Sequence, residues 1–149
     1  MISYQLQPIE AQAAFTNDLN QIYAMHQVVR RLAIEAGFTN TALGNIELAV
    51  VEACANIIKH AYRQVPTGTA PIAIHVMCDF GALAITVTDW GAPFDAPTGR
   101  IPAPDPDRMV AEGRRGGMGL FFIQQMMDEV AWDLRPGECN RVRLVKRLA

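Results

Sequence analysis

The stretch Glu47-Leu-Ala-Val-Val-Glu-Ala-Cys-Ala-Asn-Ile-Ile-Lys-His-Ala61 decides how the rest of the chain is organised. Ten of its fifteen residues are apolar, and among the polar ones Glu52, Asn56 and His60 recur at every fourth position. Residues four apart lie on one face of an α-helix, so this spacing predicts a buried helix with a single polar stripe. A buried carboxylate, amide or imidazole costs free energy unless it is paired or faces a polar cleft. The helix alone does not separate these two possibilities.

The composition predicts a compact protein with a hydrophobic core. The chain has 149 residues, of which 50% are hydrophobic and 19% are charged, and this length suits one domain. The formal net charge of -2 gives no overall attraction to nucleic acid or to an anionic membrane. We identify no signal peptide, and we expect no apolar stretch as long as the roughly 20 residues of a membrane span. These observations predict a cytoplasmic protein that contacts neither nucleic acid directly nor a membrane.

The three cysteines, Cys54, Cys78 and Cys139, are widely separated and form no CxxC pair. An odd number at this spacing argues against a disulfide framework and against a zinc site. We interpret them as small buried side chains of a protein in a reducing compartment.

The hydropathy periods predict a strand, two helices, a hairpin, a long loop, one helix and a second hairpin. The predicted ranges are 3–7, about 11–36, 39 or 40 to 62, 72–78 with 83–88, 91–117, 120–129, and 130–134 with 141–148. A short helical turn at 107–112 fits within the loop. This order predicts an α+β fold, a two-layer sandwich whose mixed, mostly antiparallel sheet is covered on one face by helices.

Two further segments carry groups that bind ligands. Asp89-Trp-Gly-Ala-Pro-Phe-Asp95 follows a predicted strand, where a carboxylate can accept a hydrogen bond from a ligand and Gly91 allows close approach to the backbone. Asp-x-Gly is also a common turn. Arg114-Arg-Gly-Gly-Met-Gly119 precedes a helix, where exposed N–H groups and the helix dipole favour phosphate. Simple flexibility at a helix start explains the same glycines equally well.

The three signals in one short chain have the parts of a nucleotide site. Asn56 offers a neutral oxygen to Mg²⁺, which is held by few protein ligands when it bridges phosphates. Glu52, one helical turn away, could take a proton from an attacking hydroxyl or water. Asp89 could accept a hydrogen bond from an exocyclic amine, and the glycines could hold phosphates.

Together, the motifs resemble those of one known family, the GHKL or Bergerat-fold ATPases. The helix is similar to their N-box, the strand-end segment to their G1 box and the glycine-rich segment to their G2 box. The residues that carry the resemblance are Glu52-x-x-x-Asn56-x-x-x-His60-Ala61, Asp89-x-Gly91-x-Pro93-Phe94-Asp95 and Gly117-Met118-Gly119-Leu120. The Pro-Phe-Asp ending, the compact size and the run Met127–Val130 look most like the anti-sigma-factor serine/threonine kinases of bacterial partner-switching systems.

The resemblance implies one ATPase domain over residues 1–149, with an ATP lid at about 92–116. It implies Glu52 as general base, Asn56 as Mg²⁺ ligand and Asp89 as the acceptor for the adenine amine. The positions that it implies for nucleotide binding are Asn56, His60, Asp89, Gly91, Phe94, Arg115, Gly117, Met118, Gly119, Leu120 and Asn140. Cys139-Asn140 stands where the family has a Gly-Thr pair, so Asn140 has to replace a supporting hydroxyl.

The resemblance further implies the function of an ATP-dependent serine/threonine protein kinase and anti-sigma factor. Its partners would be a STAS-domain anti-sigma-factor antagonist, which it phosphorylates, a sigma factor or other regulator, and a second copy in a homodimer. A nucleotide-gated binding module without kinase activity is the alternative. The catalytic domain of a histidine kinase is disfavoured, because we find no dimerisation helix with a phosphoacceptor histidine. A degenerate fold without ATP binding is the remaining possibility.

Overall fold

The computed structural model describes residues 8–111 and 118–149. The predicted strand over 3–7 lies outside these ranges. The strands are β1 (Ile9–Thr16), β2 (Pro71–Asp79), β3 (Ala82–Asp89), β4 (Glu129–Arg135) and β5 (Cys139–Arg147). The helices are α1 (Ile22–Glu35), α2 (Asn40–Asn56), α3 (Pro106–Ala111) and α4 (Gly119–Met126), and α2 continues into a π-helical turn, Ile57–Ala61.

The five strands form one sheet in the order β1-β2-β3-β5-β4, and all four neighbouring pairs are antiparallel. Alternate residues of the central strands are buried, and α1, α2 and α4 supply further residues to the same hydrophobic core. The predicted α+β architecture is therefore confirmed. Both strands of the predicted first hairpin are present, and the predicted turn near 107 is α3.

The segment 11–16 is a strand, so the prediction that the first helix begins near Ala11 was wrong. Its alanines favour helix by intrinsic propensity, but pairing with β2 overrides that preference. The alternating burial along β1 shows the period of two that the helical interpretation overlooked. Helix α1 begins at Ile22, after a 3-10 turn at Leu19–Gln21 that the Asp18 carboxylate caps by accepting from Asn20 N at 2.9 Å.

The predicted helix over 120–129 was too long at its C-terminal end. Helix α4 ends at Met126, and the Asp128 N–H donates to the Val145 carbonyl at 2.8 Å, so the chain already joins the sheet there. Strand β4 then begins at Glu129, one residue before the predicted start of the closing hairpin.

The segment Asn40–Ala61 is a 22-residue helix that is long and apolar enough to cross a membrane by length and composition. The expectation that no stretch reaches this length was therefore wrong. In the structure the helix packs between α1 and α4. Its buried residues are Ile46, Ala49, Val50, Ala53, Cys54 and Ile57. Core helices of globular domains commonly have this composition, because they are apolar on most of their surface.

Candidate functional site

The start of α4 lies directly against the polar stripe of α2. A Cβ atom added to Gly119 would lie 2.8 Å from Glu52 Oε2 and 3.6 Å from both Nδ2 and Oδ1 of Asn56. A larger residue at this position would displace the Glu52 carboxylate, so glycine allows the helix start to approach it this closely. Met118, at the N-cap, makes no side-chain capping bond, so the first turn of α4 presents its N–H groups beside a carboxylate and an amide. Two of the three predicted motifs therefore meet.

Asp89 occupies the last position of β3, and the alternation of the strand puts its side chain on the buried face. The residue is only 5% exposed, as is Asn140, which stands opposite it on β5. Asp89 Oδ1 accepts from Asn140 Nδ2 at 2.9 Å and from the Gly91 N–H at 2.9 Å. Asn140 Nδ2 also donates to the Gly91 carbonyl at 3.0 Å. Asn140 thus ties β5 to the turn after β3.

The second oxygen of the same carboxylate, Oδ2, is left open. Both hydrogen bonds go to Oδ1, and within the described residues no buried side-chain oxygen lacks a hydrogen-bond partner. Within residues 8–111 and 118–149, Oδ2 of Asp89 therefore keeps its capacity to accept a hydrogen bond. Burial raises the pKa of Asp89 above the ordinary aspartate value, although the hydrogen bonds from Asn140 and Gly91 act in the opposite direction. One face of the carboxylate is fixed, and the other can accept from a ligand.

The raised pKa of Asp89 predicts how the Asp89→Asn variant compares with the wild type as the pH changes. Below the ordinary aspartate pKa the carboxyl is neutral in both the folded and the unfolded state. Above the raised pKa the folded state holds a buried charge that the unfolded state exposes to water. As the pH rises between these values, we expect wild-type stability to fall relative to Asp89→Asn, measured as urea unfolding free energies at several pH values. A difference that is independent of pH would contradict the raised pKa.

His60 lies in the π-helical turn and is exposed. The predicted stripe assumed an α-helix throughout, but a π turn inserts one extra residue and re-aims those within and after it by about 100°. Glu52 and Asn56 remain four apart within α2, whereas His60 leaves that regular spacing. Its role in nucleotide binding stays a prediction.

The end of the π turn contacts the turn after β3. A Cβ atom at Gly91 would lie 2.4 Å from the Ala61 carbonyl oxygen, and the Ala92 N–H donates to that oxygen at 3.0 Å. Gly91 is thus the residue that allows the two backbones to touch. The N-box helix and the G1 segment form one unit through this contact.

The segment after Pro93 runs along α4 and β4. Phe94 packs edge-on against Trp132, with ring centroids 6.3 Å apart. Gln124 of α4 accepts from the Ile101 N–H at 2.8 Å and donates to the Gly99 carbonyl at 3.0 Å. These bonds tether the first part of the predicted lid. Residues 96–100 also border a cavity of about 490 Å³ with α4 and β4, and no described residue of the predicted site lines it.

Sequence reasoning missed three groups that shape this site. Tyr62 and Gln124 hold its segments through hydrogen bonds that join distant parts of the chain, and Trp132 contacts Phe94. The alternation of β3 could have shown that Asp89 lies on the buried face. Met118 and Leu120 flank Gly119 at the start of α4, whereas Arg115 and Gly117 lie outside the described residues.

The arrangement can hold a nucleotide with few metal ligands. Within 8–111 and 118–149 no group of three histidine, cysteine or acidic side chains is placed to bind a metal ion. A magnesium ion here would use the neutral Asn56 oxygen together with phosphate oxygens and water, which fits the preferences of that ion. The glycine contact at α4 leaves backbone N–H groups for phosphate. This arrangement of groups suits a nucleotide-binding site.

Comparison with known proteins identifies the family. A family model described as the histidine kinase-like ATPase domain matches residues 15–146, so the chain belongs to this family. Membership implies an ATP site, because the domain is named for that activity.

Several curated relatives share one name, serine-protein kinase RsbW. The protein from Halalkalibacterium halodurans is 35% identical over 104 residues, which are 68% of this chain and 62% of that protein. The protein from Bacillus subtilis is 32% identical over 101 residues, 66% of this chain and 62% of that protein. The matched region thus spans somewhat less than two thirds of these relatives. A crystal structure of the RsbU and RsbW domains of a Mycobacterium tuberculosis protein covers 96% of this chain and 33% of its own, with a TM-score of 0.65 at 17% identity, and it supports the fold.

Proposed function

We propose that this protein binds ATP with Mg²⁺ and transfers the γ-phosphoryl group to a serine or threonine of a STAS-type anti-sigma-factor antagonist. When the antagonist is absent, it binds and inactivates a sigma factor or another regulator. The observation that carries the proposal is the packing of Gly119 against Glu52 and Asn56. This contact supports phosphate binding at the helix start, with Glu52 beside it as proton acceptor and Asn56 as metal ligand. The name of the relatives, serine-protein kinase RsbW, supports the same reaction.

The proposed reaction assigns one task to each group. Glu52 takes the proton of the substrate hydroxyl. The hydroxyl oxygen bonds to the γ-phosphorus as the bond between that phosphorus and the ADP oxygen breaks, which releases ADP. Asn56 holds the metal, which supplies positive charge to the phosphate oxygens. The N–H groups at the start of α4 hold phosphate, and Arg115 adds positive charge near the γ-phosphate or the protein substrate. Segment 92–116 closes over the nucleotide as a lid, and Gln124 holds its first part in place.

Recognition of the adenine ring is assigned to Asp89 and its neighbours. Oδ2 accepts from the adenine amine, while Asn140 and Gly91 hold Oδ1. His60, Phe94, Met118 and Leu120 complete the nucleotide surroundings in this proposal. The protein works in the cytoplasm as a homodimer, where ATP and the sigma factor are available.

Asp89→Asn tests the nucleotide site directly. The amide can keep both hydrogen bonds through its oxygen, but it presents an N–H group to the adenine amine. A hydrogen bond to a charged group contributes about 1.5–3 kcal/mol, so we expect ATP affinity to fall by about 10- to 100-fold. Calorimetric titration with Mg-ATP measures the change. Unfolding by urea in the same buffer serves as the control for folding.

The outcomes separate the proposal from its alternative. Wild-type protein that binds ATP and labels an adjacent-gene STAS protein from γ-labelled ATP supports the kinase. Binding without transfer to any partner leaves the nucleotide-gated module. Equal ATP affinity in wild type and Asp89→Asn would remove the role assigned to that carboxylate.

A further inference from the structure

Tyr62 follows the π turn directly, and its hydroxyl joins two other segments of the chain. The residue is 4% exposed, and its hydroxyl donates to the Pro71 carbonyl at 2.6 Å and accepts from the Trp90 N–H at 2.8 Å. The Tyr62 N–H bonds the Ile57 carbonyl at 2.9 Å, which is the five-residue step of a π turn. The extra residue of this turn re-aims the tyrosine toward the G1 segment.

The turn after β3 is therefore held on both sides of Gly91. Tyr62 binds the N–H of Trp90, and the Ala61 carbonyl accepts from the N–H of Ala92. Gly91, between them, lies in contact with Ala61 and donates its own N–H to Asp89 Oδ1. The direction of that N–H, and with it the orientation of the Asp89 carboxylate, depends on these two attachments.

We propose that Tyr62 is a positioning residue for base recognition: its hydroxyl fixes the Trp90–Gly91 turn and thereby aims Asp89 Oδ2 at the exocyclic amine of the nucleotide. This inference rests on the proposed ATP site and adds to it a residue that never touches the ligand. Burial also raises the pKa of Tyr62, so the hydroxyl keeps the proton that it donates to Pro71 across the physiological range.

A hydroxyl that only stabilised the fold would behave differently. Its loss would weaken the binding of every nucleotide to the same extent. The groups on α2 and α4 that contact phosphate and metal would then be disturbed together with Asp89. A positioning role acts through Asp89 alone. It predicts weaker binding only for nucleotides that carry an exocyclic amine able to donate a hydrogen bond to Asp89.

The experiment compares two nucleotides in two matched variants. Mg-ATP and Mg-purine riboside triphosphate, which has hydrogen in place of the 6-amino group, are titrated into full-length wild type, Tyr62→Phe and Tyr23→Phe. Tyr23 is the matched control, because it is 72% exposed on α1 and its hydroxyl has no hydrogen bond within the described residues. Intrinsic tryptophan fluorescence, from Trp90 beside the site and from Trp132 against Phe94, reports binding. Amide hydrogen exchange at Trp90 reports the lost bond without any nucleotide.

We expect Tyr62→Phe to bind ATP about 3- to 10-fold more weakly, as for one hydrogen bond, with purine riboside triphosphate unchanged. Exchange at the Trp90 amide becomes faster, and Tyr23→Phe behaves as wild type. In an Asp89→Asn background the effect of Tyr62→Phe on ATP disappears, because the carboxylate on which it acts is gone. If Tyr62→Phe left the ratio of the two nucleotide affinities unchanged, for example by weakening both equally, the positioning role would be overturned while the ATP site remained intact. A wild-type protein that binds neither nucleotide would overturn the proposed function and this inference with it.

Discussion

Replacing Glu52 with glutamine is expected to lower phosphoryl transfer by about 10²- to 10⁴-fold, the usual contribution of a positioned general base. Glutamine has nearly the same size, so it fits the narrow space against Gly119, but it cannot take the proton of the attacking hydroxyl. ATP affinity is expected to change little, because recognition of the adenine ring depends on Asp89 and not on Glu52. Transfer of label from γ-labelled ATP to the STAS protein, at saturating ATP, measures the effect.

Glu47→Gln is the matched control on the same helix. Glu47 Oε1 accepts from Arg30 at 2.8 Å and lies 3.3 Å from His26 Nε2, so this carboxylate faces α1 and not α4. We expect transfer at the wild-type rate and a small loss of stability, since part-exposed ion pairs contribute about 0.2–1 kcal/mol. Undiminished transfer in Glu52→Gln, or an equal loss of transfer in both variants, would contradict the assignment of Glu52 as the general base.

The predictable part of this structure follows from local patterns. The spacing of Glu52 and Asn56 survives because α2 is regular across those residues, and the first hairpin follows from strict alternation around a glycine turn. The same alternation carries Asp89 to the buried face. The opposition of Glu47 and Glu52 also follows from helical geometry alone, since five residues turn a helix by about 140°.

The unpredicted part depends on register and on contacts between distant segments. Asn140 meets Asp89 only because β5 pairs with β3 at that register, which no local pattern specifies. The π turn has no signature in the apolar spacing, so His60 was placed on an ideal α-helical stripe. The prediction of a helix over 11–16 was wrong because the alanines there suit either a helical or a strand period. Pairing with β2 decides that this segment is a strand.

Gly91→Ala is expected to destabilise the protein and to weaken ATP binding at once. The new Cβ would lie 2.4 Å from the Ala61 oxygen and 2.7 Å from its carbonyl carbon, which are backbone atoms that no rotamer change can move. The turn has to shift, so the bonds from Ala92 and Trp90 lengthen and Asp89 loses its orientation. Overpacking of this kind costs about 1–3 kcal/mol, and we expect ATP affinity to fall at least about tenfold with the loss of Asp89.

The same substitution at Gly44 is the control and should act in the opposite direction. Gly44 lies within α2, and a Cβ there meets no atom within 4 Å. Alanine in a helix interior is favoured over glycine by about 0.5–1 kcal/mol, so urea unfolding should show Gly44→Ala to be more stable than wild type, with ATP affinity unchanged. Opposite signs for one added methyl group locate the effect of Gly91→Ala in its contact with Ala61. If Gly91→Ala kept wild-type stability and ATP affinity, the π turn and the G1 segment would not be coupled through this contact.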